Sequence, residues 1–368
     1  MKPSIIESLK GYNRELLTKD ILSGIIVGIV ALPLAIAFGI ASGVTPEQGI
    51  ITAIVAGLII SLLGGSKVQI GGPTGAFIVI IAGIIGQYGT AGLAVATILA
   101  GALLILLGAF RLGTIIKYIP YPIVVGFTSG IALTIFTTQV KDLLGLSIEG
   151  EVPADFISKW VCYAQNIHSI DAWSAVVGLS SVVLIAGWPY INRVKYVGGH
   201  ASALNKLPGS LVAIVVMTVG VLVLKQYGLA EHVDTIGDRF RINASLPAPV
   251  VPEMSWEVVR QLFAPALTIA VLGAIESLLS ATVADGVIGD RHDSNQELIA
   301  QGVANLLCPL VGGIPATGAI ARTMTNINNG GRTPVAGIVH AVVLLLIFLL
   351  LMPYARSEEH TSELQSPQ

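Results

Sequence analysis

Apolar runs separated by short polar punctuation recur along the chain, and a helix needs about 20 such residues to span about 30 Å of hydrocarbon. Roughly eleven runs stand out by this criterion. Residues 21–40, 48–63, 93–110, 122–139, 173–190, 211–224, 263–283, 297–311 and 334–351 are predicted to cross. Two further runs are too short. One follows Gly71-Gly72-Pro73-Thr74-Gly75-Ala76-Phe77 and stays apolar only to about Ile85, which at 1.5 Å per residue covers about 18 Å. The other follows Gly312-Gly313-Ile314-Pro315-Ala316-Thr317-Gly318-Ala319 and ends near Asn329. The pattern predicts an all-α polytopic membrane protein whose two halves carry matching half-helices, each broken by Gly and Pro.

Composition narrows the class. With 54% hydrophobic and 11% charged residues and a mean hydropathy of +0.81, the chain is far from a soluble globule, for which about 25% charged is usual. A net charge of −2 supplies no basic surface, so no nucleic-acid partner is expected. Cys162 and Cys308 lie far apart without a CxxC or Cys/His pattern, so neither a disulfide nor a metal site is expected, and no cofactor is implied. Residues 1–20 are polar and amphipathic, and the first apolar run lacks a signal-cleavage exit, so that run is predicted to stay as an anchor. Lys and Arg fall in alternate loops: Lys2, Lys10, Arg14 and Lys19, then Lys67, then Arg111 and Lys117, then Arg193, Lys195 and Lys206. These predict a cytoplasmic N-terminus. The intervening acidic loop of Asp142, Glu149, Glu151, Asp155 and Asp171 is placed outside. The organisation expected is 1–20 as a cytoplasmic segment, 21–228 as a first membrane repeat, 229–260 as an external loop and 261–355 as a second repeat.

The breaks carry the chemistry. Half-helices at corresponding places in two halves point to a solute site near the bilayer midplane, where inverted repeats bring them together. Each N-terminus leaves backbone N–H groups unsatisfied and carries about +0.5 charge, so two facing one point form an anion cradle. Glycine there lets backbone approach a ligand, and Thr74 and Thr317 offer hydroxyl donors. The plainer alternative is a pair of kinks in packed helices. Glu276 is a carboxylate deep in an apolar run, where burial costs roughly 2.5–3.5 kcal/mol. Either it carries a coupling proton or it is hydrogen-bonded by neighbouring helices. Arg322, about one turn past the second motif, suits bidentate binding of an oxyanion or neutralises Glu276. Its alternative is a vestibule or headgroup position. Phe38, beyond the break at Pro33, is either a cavity wall or ordinary packing.

At this point the motifs resemble the SulP family of inorganic anion transporters, which in animals is the solute carrier family 26. The resemblance runs to about Tyr354. It rests on Ala31-Leu32-Pro33-Leu34-Ala35-Ile36-Ala37-Phe38-Gly39, on Gly72-Pro73-Thr74-Gly75-Ala76-Phe77, and on Ile119-Pro120 with Gly126-Phe127-Thr128-Ser129-Gly130. It rests also on Arg291-His292 with Ser294-Asn295-Gln296-Glu297-Leu298, and on Gly313 to Thr323. The resemblance implies fourteen membrane segments in two inverted repeats of seven, a core domain moving against a gate domain, homodimers, and a cytoplasmic STAS domain. Carried over, the anion site takes Thr74, Gly75 and Ala76, Thr317, Gly318 and Ala319, Arg322 and Phe38. Glu276, with Ser280 one turn on, takes the coupling-ion position. The first span is also similar to the sodium–bicarbonate branch, but Glu276 and the apolar Ile320 stand where that branch has a shorter carboxylate and hydroxyls.

The expected function is proton-coupled transport of a small inorganic anion, sulfate first, across a bacterial inner membrane, by a homodimer when full length. Sodium-coupled bicarbonate transport, anion exchange, a nucleobase carrier and an inactive membrane scaffold are the alternatives. An enzyme is not expected, since no paired carboxylates, HExxH or Ser/His arrangement on facing spans is visible. Two departures from the family pattern stand out. Leu34 replaces a usual Gln, and the chain is expected to stop about three segments early, without the STAS domain. Residues 356–368 turn abruptly polar and resemble a translated sequencing adapter, leaving the second repeat incomplete.

Overall fold

The computed structural model describes residues 1–116, 121–148, 150, 152–153, 155–191, 209–234, 249 and 252–351. The stretch 356–368, read above as adapter sequence, lies outside the described residues. The described chain is helical apart from two very short strands. In order come α1 Ser4–Ser8, α2 Arg14–Ala41, α3 Pro46–Leu63, β1 Gly71–Gly72, a 3₁₀ turn Gly75–Phe77 and α4 Ile78–Ala109. Then follow α5 Gly113–Ile116, α6 Tyr121–Leu144, α7 Phe156–Gln165, α8 Ala172–Ile191 and α9 Gly209–Gln226. The chain continues with α10 Trp256–Ile288, α11 Ser294–Leu307, β2 Thr317–Gly318, α12 Ile320–Asn328 and α13 Pro334–Leu346, extended by a π turn over Ile347–Leu351.

Helix ends extend past the apolar runs that predicted them, because capping groups are polar and hydropathy stops short of them. Asn13 Oδ1 accepts from the Leu16 amide at 2.9 Å and starts α2 two turns early. Ser255 Oγ accepts from Val258 N and starts α10 well before residue 263. Thr45 and Gln48 form a capping box on α3, with Pro46 at the first helical position. The first half-helix and the next span, predicted as separate at 74–85 and 93–110, follow one another with only Gly89 out of helical geometry, at φ 69°. Helix α7 occupies the acidic segment read as an external loop.

The chain divides into two compact units, Met1–Gly126 with Ile242–Gln368, and Phe127–Arg241. In the first unit, Phe77, Ile81 and Leu104 pack with Leu262, Ile269, Leu278, Leu298 and Ile314, joining α4 to α10 and α11. A second cluster of Ala35, Ile50, Ala53, Leu344 and Phe348 joins α2, α3 and α13. Small residues set the approach. A Cβ on Gly101 would meet the Gly302 carbonyl at 2.7 Å, and one on Gly302 would meet the Gly101 carbonyl at 2.6 Å. Helices α4 and α11 therefore touch backbone to backbone, the packing expected where lipid supplies no hydrophobic drive between helices. In the second unit, Val140, Leu146 and Tyr163 form one cluster, while Val221, Ala230 and Val233 pack on Trp173 and Val177.

Five of the described helical segments are long and apolar enough to cross a membrane: Arg14–Ala41, Pro46–Leu63, Gly75–Ala109, Ala172–Tyr190 and Trp256–Ile288. The chain is a multi-pass membrane protein.

Candidate functional site

The two broken motifs meet. Strand β1 pairs antiparallel with β2, Gly71 opposite Gly318 and Gly72 opposite Thr317, and the Ala319 amide donates to the Ile70 carbonyl at 2.9 Å. Immediately after the pair, the chain turns into the 3₁₀ turn and α4 on one side and into α12 on the other. Gly72 has a φ of 152° and a Cβ there would collide with Arg322 Nη1, so only glycine fits.

Side-chain oxygens cap α2, α7, α10, α11 and α13, from Asn13, Asp155, Ser255, Asp293 and Thr333. Neither half-helix has such a cap: Thr74 and Ala319 stand at those positions without a side-chain capping bond. First-turn N–H groups are thus left at two helix starts joined through one small ladder.

One turn of α10 holds both starts in place. Thr74 Oγ1 donates to Glu276 Oε2 at 2.9 Å, and Thr317 Oγ1 donates to the Gly273 carbonyl at 3.1 Å. The hydroxyls assigned to the anion by the sequence therefore spend their protons on α10. Glu276, Gly75 and Ala76 are half-buried beside this turn, whereas Thr317, Gly318 and Ala319 are buried. Gly318 has the Gln69 amide where a Cβ would stand. Ser280 faces α12, its Oγ donating to Thr323 Oγ1 at 3.5 Å.

Arg322 is 1% exposed, which excludes the vestibule and headgroup positions. Its Nη1 donates to the Gly71 carbonyl at 3.4 Å and its Nη2 to the Pro73 carbonyl. The guanidinium from the second motif thus binds the backbone of the first. Among the described residues no ion pair joins it to Glu276. Phe38 is half-buried in the last turn of α2, where its carbonyl accepts from Ser42. Among the described residues no hydrogen bond or core cluster ties it to the strand pair.

A polar frame that the sequence reading missed surrounds the ladder. Glu297, fully buried, accepts from the Gly65 and Ser66 amides at 2.9 and 3.1 Å and from Gln69 and Gln301 Nε2 at 3.0 and 2.9 Å. Asn305 accepts from Ala316 N and donates to the Ala316 carbonyl. Thr52 accepts from Ile314 N, and Gln48 donates to the Gly312 carbonyl. The signal was a polar stripe at 297, 301 and 305, every fourth residue along one face of α11.

A serine–histidine–aspartate contact also exists: His292 Nδ1 lies 2.7 Å from Asp285 Oδ2 and Nε2 lies 2.9 Å from Ser294 Oγ. Ser294 is buried, and Asp293 Oδ1 takes the adjacent Asn295 and Gln296 amides. The contact lies at the start of α11 and ties it to Asp285 near the end of α10.

The profile of the family described as "Sulfate permease family" matches residues 17–357. "Putative sulfate transporter YvdB" of Bacillus subtilis (strain 168) is 47% identical over 350 residues, covering 94% of this chain and 62% of that protein. "Bicarbonate transporter BicA" of Picosynechococcus is 32% identical over 339 residues, covering 90% and 57%. The chain spans about three fifths of the length of these curated relatives. Among solved structures, the transmembrane domain of a cyanobacterial bicarbonate transporter BicA aligns with a TM-score of 0.78 at 29% identity, covering 94% of this chain and 84% of that one. Murine solute carrier 26 family member A9, in an inward-facing state, aligns at 0.80 with 19% identity over 96% and 60%, a likeness of fold alone. The fold is the inverted-repeat transporter fold.

Proposed function

The chain belongs to the sulfate permease family, and we propose that it carries out secondary transport of a small inorganic anion, sulfate first, coupled to protons through Glu276. The carrying observation is the pair of uncapped half-helix starts joined by β1 and β2. Two dipole ends and the Arg322 charge behind Gly71 and Pro73 make a positive surface that a divalent oxyanion neutralises. The anion sits against the backbone at Thr74, Gly75 and Ala76 and at Thr317, Gly318 and Ala319, the Ala319 amide itself being held by Ile70, with Phe38 as a wall. Glu276 and Ser280 serve the coupling ion. Thr74 links the two events, because it bonds the carboxylate from the lip of the cradle. A proton on Glu276 removes a charge that would repel the anion, so both load together.

The likeness to BicA favours a second reading, bicarbonate as the anion, and the resemblance of the first span to the sodium–bicarbonate branch would make sodium its coupling ion. Glu276 and the apolar Ile320, in place of a shorter carboxylate and hydroxyls, favour the proton. The repeats at 21–228 and 261–355, the external loop at 229–260, a cytoplasmic N-terminus in a bacterial inner membrane and a homodimeric full-length protein complete the proposal.

The test is uptake of labelled sulfate and bicarbonate into proteoliposomes, with and without an inward proton gradient. Sulfate uptake is expected to rise with the gradient, and Glu276→Gln to lose most of that rise. Uptake indifferent to the gradient would sink proton coupling, and bicarbonate uptake that needs sodium would establish the second reading.

A further inference from the structure

We propose that His340 is a second proton-binding centre, set behind the anion cradle between α3 and α13 and separate from Glu276; this rests on the anion-transport reading above. The ring is fully buried, and neither Nδ1 nor Nε2 has a hydrogen-bond partner. Ser61 Oγ, buried on the facing helix, has none either. A neutral imidazole always holds one N–H and one lone pair, and native proteins leave few such groups bare. Elsewhere in this unit Glu297 and Asn305 are bonded several times over, and Gln69 and Gln301, each with one bare oxygen, are still bonded through Nε2, whereas the His340 ring has no partner at either nitrogen.

The placement ties the ring to the cradle. Helices α3 and α13 pack through glycines, Gly57 opposite His340 and Gly337 against the Ser61 hydroxyl. A Cβ on Gly57 would lie 3.0 Å from His340 Cε1, 3.1 Å from Nδ1 and 3.6 Å from the Gly71 carbonyl oxygen. That same carbonyl accepts from Arg322 Nη1. The imidazole and the guanidinium therefore both lie in the neighbourhood of the Gly71 carbonyl. The Gly337 carbonyl, one turn earlier on α13, is near the ring but outside hydrogen-bond geometry.

Few charges face this seam, and Glu7 of α1, which also packs against α13, is exposed. From the cradle side come Arg322 and, beyond Thr74, Glu276. On α3 the only charged residue is Glu47, ten positions from Gly57 and about 15 Å away along the helix. Helix α2 meets α13 through Gly24 and Gly28, and its Asp20 is bound to Thr333, about 10 Å along α13 from His340. No other titratable residue lies on α13 itself. Burial first, and then Arg322, oppose a positive charge on the ring while the cradle is empty. An anion at the half-helix starts offsets that repulsion, so the ring takes a proton as the anion arrives. Protonation at Glu276 removes a repelling charge, and protonation at His340 adds an attracting one.

Sulfate added to the solubilised protein in weakly buffered solution, with a pH indicator, reads protons taken up per sulfate bound, binding itself being followed by calorimetry. Glu276→Gln is expected to lower this ratio but leave a remainder, and the further change His340→Gln to abolish it. A measurement without substitution accompanies this: in nitrogen-15 spectra of the six histidines, one imidazole should pass from neutral to charged on sulfate addition and be absent from His340→Gln. The proposal is overturned if Glu276→Gln still binds sulfate yet takes up no proton, or if no imidazole changes. Failure of the unsubstituted protein to bind sulfate defeats the sulfate reading, and this inference with it.

Discussion

Glu276 and Glu297 are both carboxylates inside the larger unit, and their partners give them opposite uses. All four bonds to Glu297 come from N–H donors, two on backbone and two on amide side chains. Such a set fills every acceptor position of an ionised carboxylate and leaves no place for a proton. Glu276 receives one described bond, from Thr74, and is half-buried. It can gain or lose a proton without breaking a frame. Glu297→Gln turns an –NH₂ toward donors, and two buried donors left unpaired cost about 3 kcal/mol. Thermal unfolding of the solubilised protein should show a marked loss of stability for Glu297→Gln and little for Glu276→Gln. Equal melting of the two variants would contradict the assignment of Glu297 as a fixed anion.

The matching Thr-Gly-Ala triplets at 74–76 and 317–319 let two elements of opposite halves be compared directly, since both threonines bond to one turn of α10. Thr317→Val and Thr74→Val each keep the side-chain shape and remove one hydrogen bond, a change of roughly 1–1.5 kcal/mol, or up to about tenfold. Thr317→Val should lower sulfate uptake while preserving the ratio of uptake with and without a proton gradient. Thr74→Val should alter that ratio, because the lost bond was to Glu276. The half-helices themselves were legible in the sequence, since Gly72-Pro73 and Ile314-Pro315 punctuate runs too short to cross. The ladder joining them was not, because a two-residue pairing through Gly71, Gly72 and Gly318 shows no alternation of side chains. The role of Arg322 was hidden for a related reason: its partners are the carbonyls of Gly71 and Pro73, which no residue type announces. Glu297 was passed over because the apolar average of 297–311 masks the stripe it forms with Gln301 and Asn305.

Across the whole molecule, the larger compact unit is assembled from both ends of the chain, and the bonds that close it join residues hundreds of positions apart. Ser23 donates to Asn326, Asp20 accepts from the Arg332 and Thr333 amides, and Gln296 donates to the Leu63 carbonyl. At the rim of the same unit Lys67, after α3, pairs with Asp290, after α10, at 2.6 Å. The Lys67 ammonium holds the Asp290 carboxyl below its ordinary range, chiefly through that hydrogen bond. A carboxyl whose pKa is depressed by folding contributes stability above its unfolded value, near 3.9, and loses it as pH falls through the folded value. Both side chains are about one third exposed, so solvent and salt screen the pair and its worth is about 0.2–1 kcal/mol. Lys67→Gln should therefore lower the unfolding temperature slightly at pH 7 and low salt. The difference from the unsubstituted protein should shrink as pH falls below about 4 and Asp290 becomes neutral in both. It should shrink also in 1 M salt, where the screening length is about 3 Å. A difference that persists at low pH and high salt would mean that Lys67 acts through the packing of its aliphatic stem rather than through its charge.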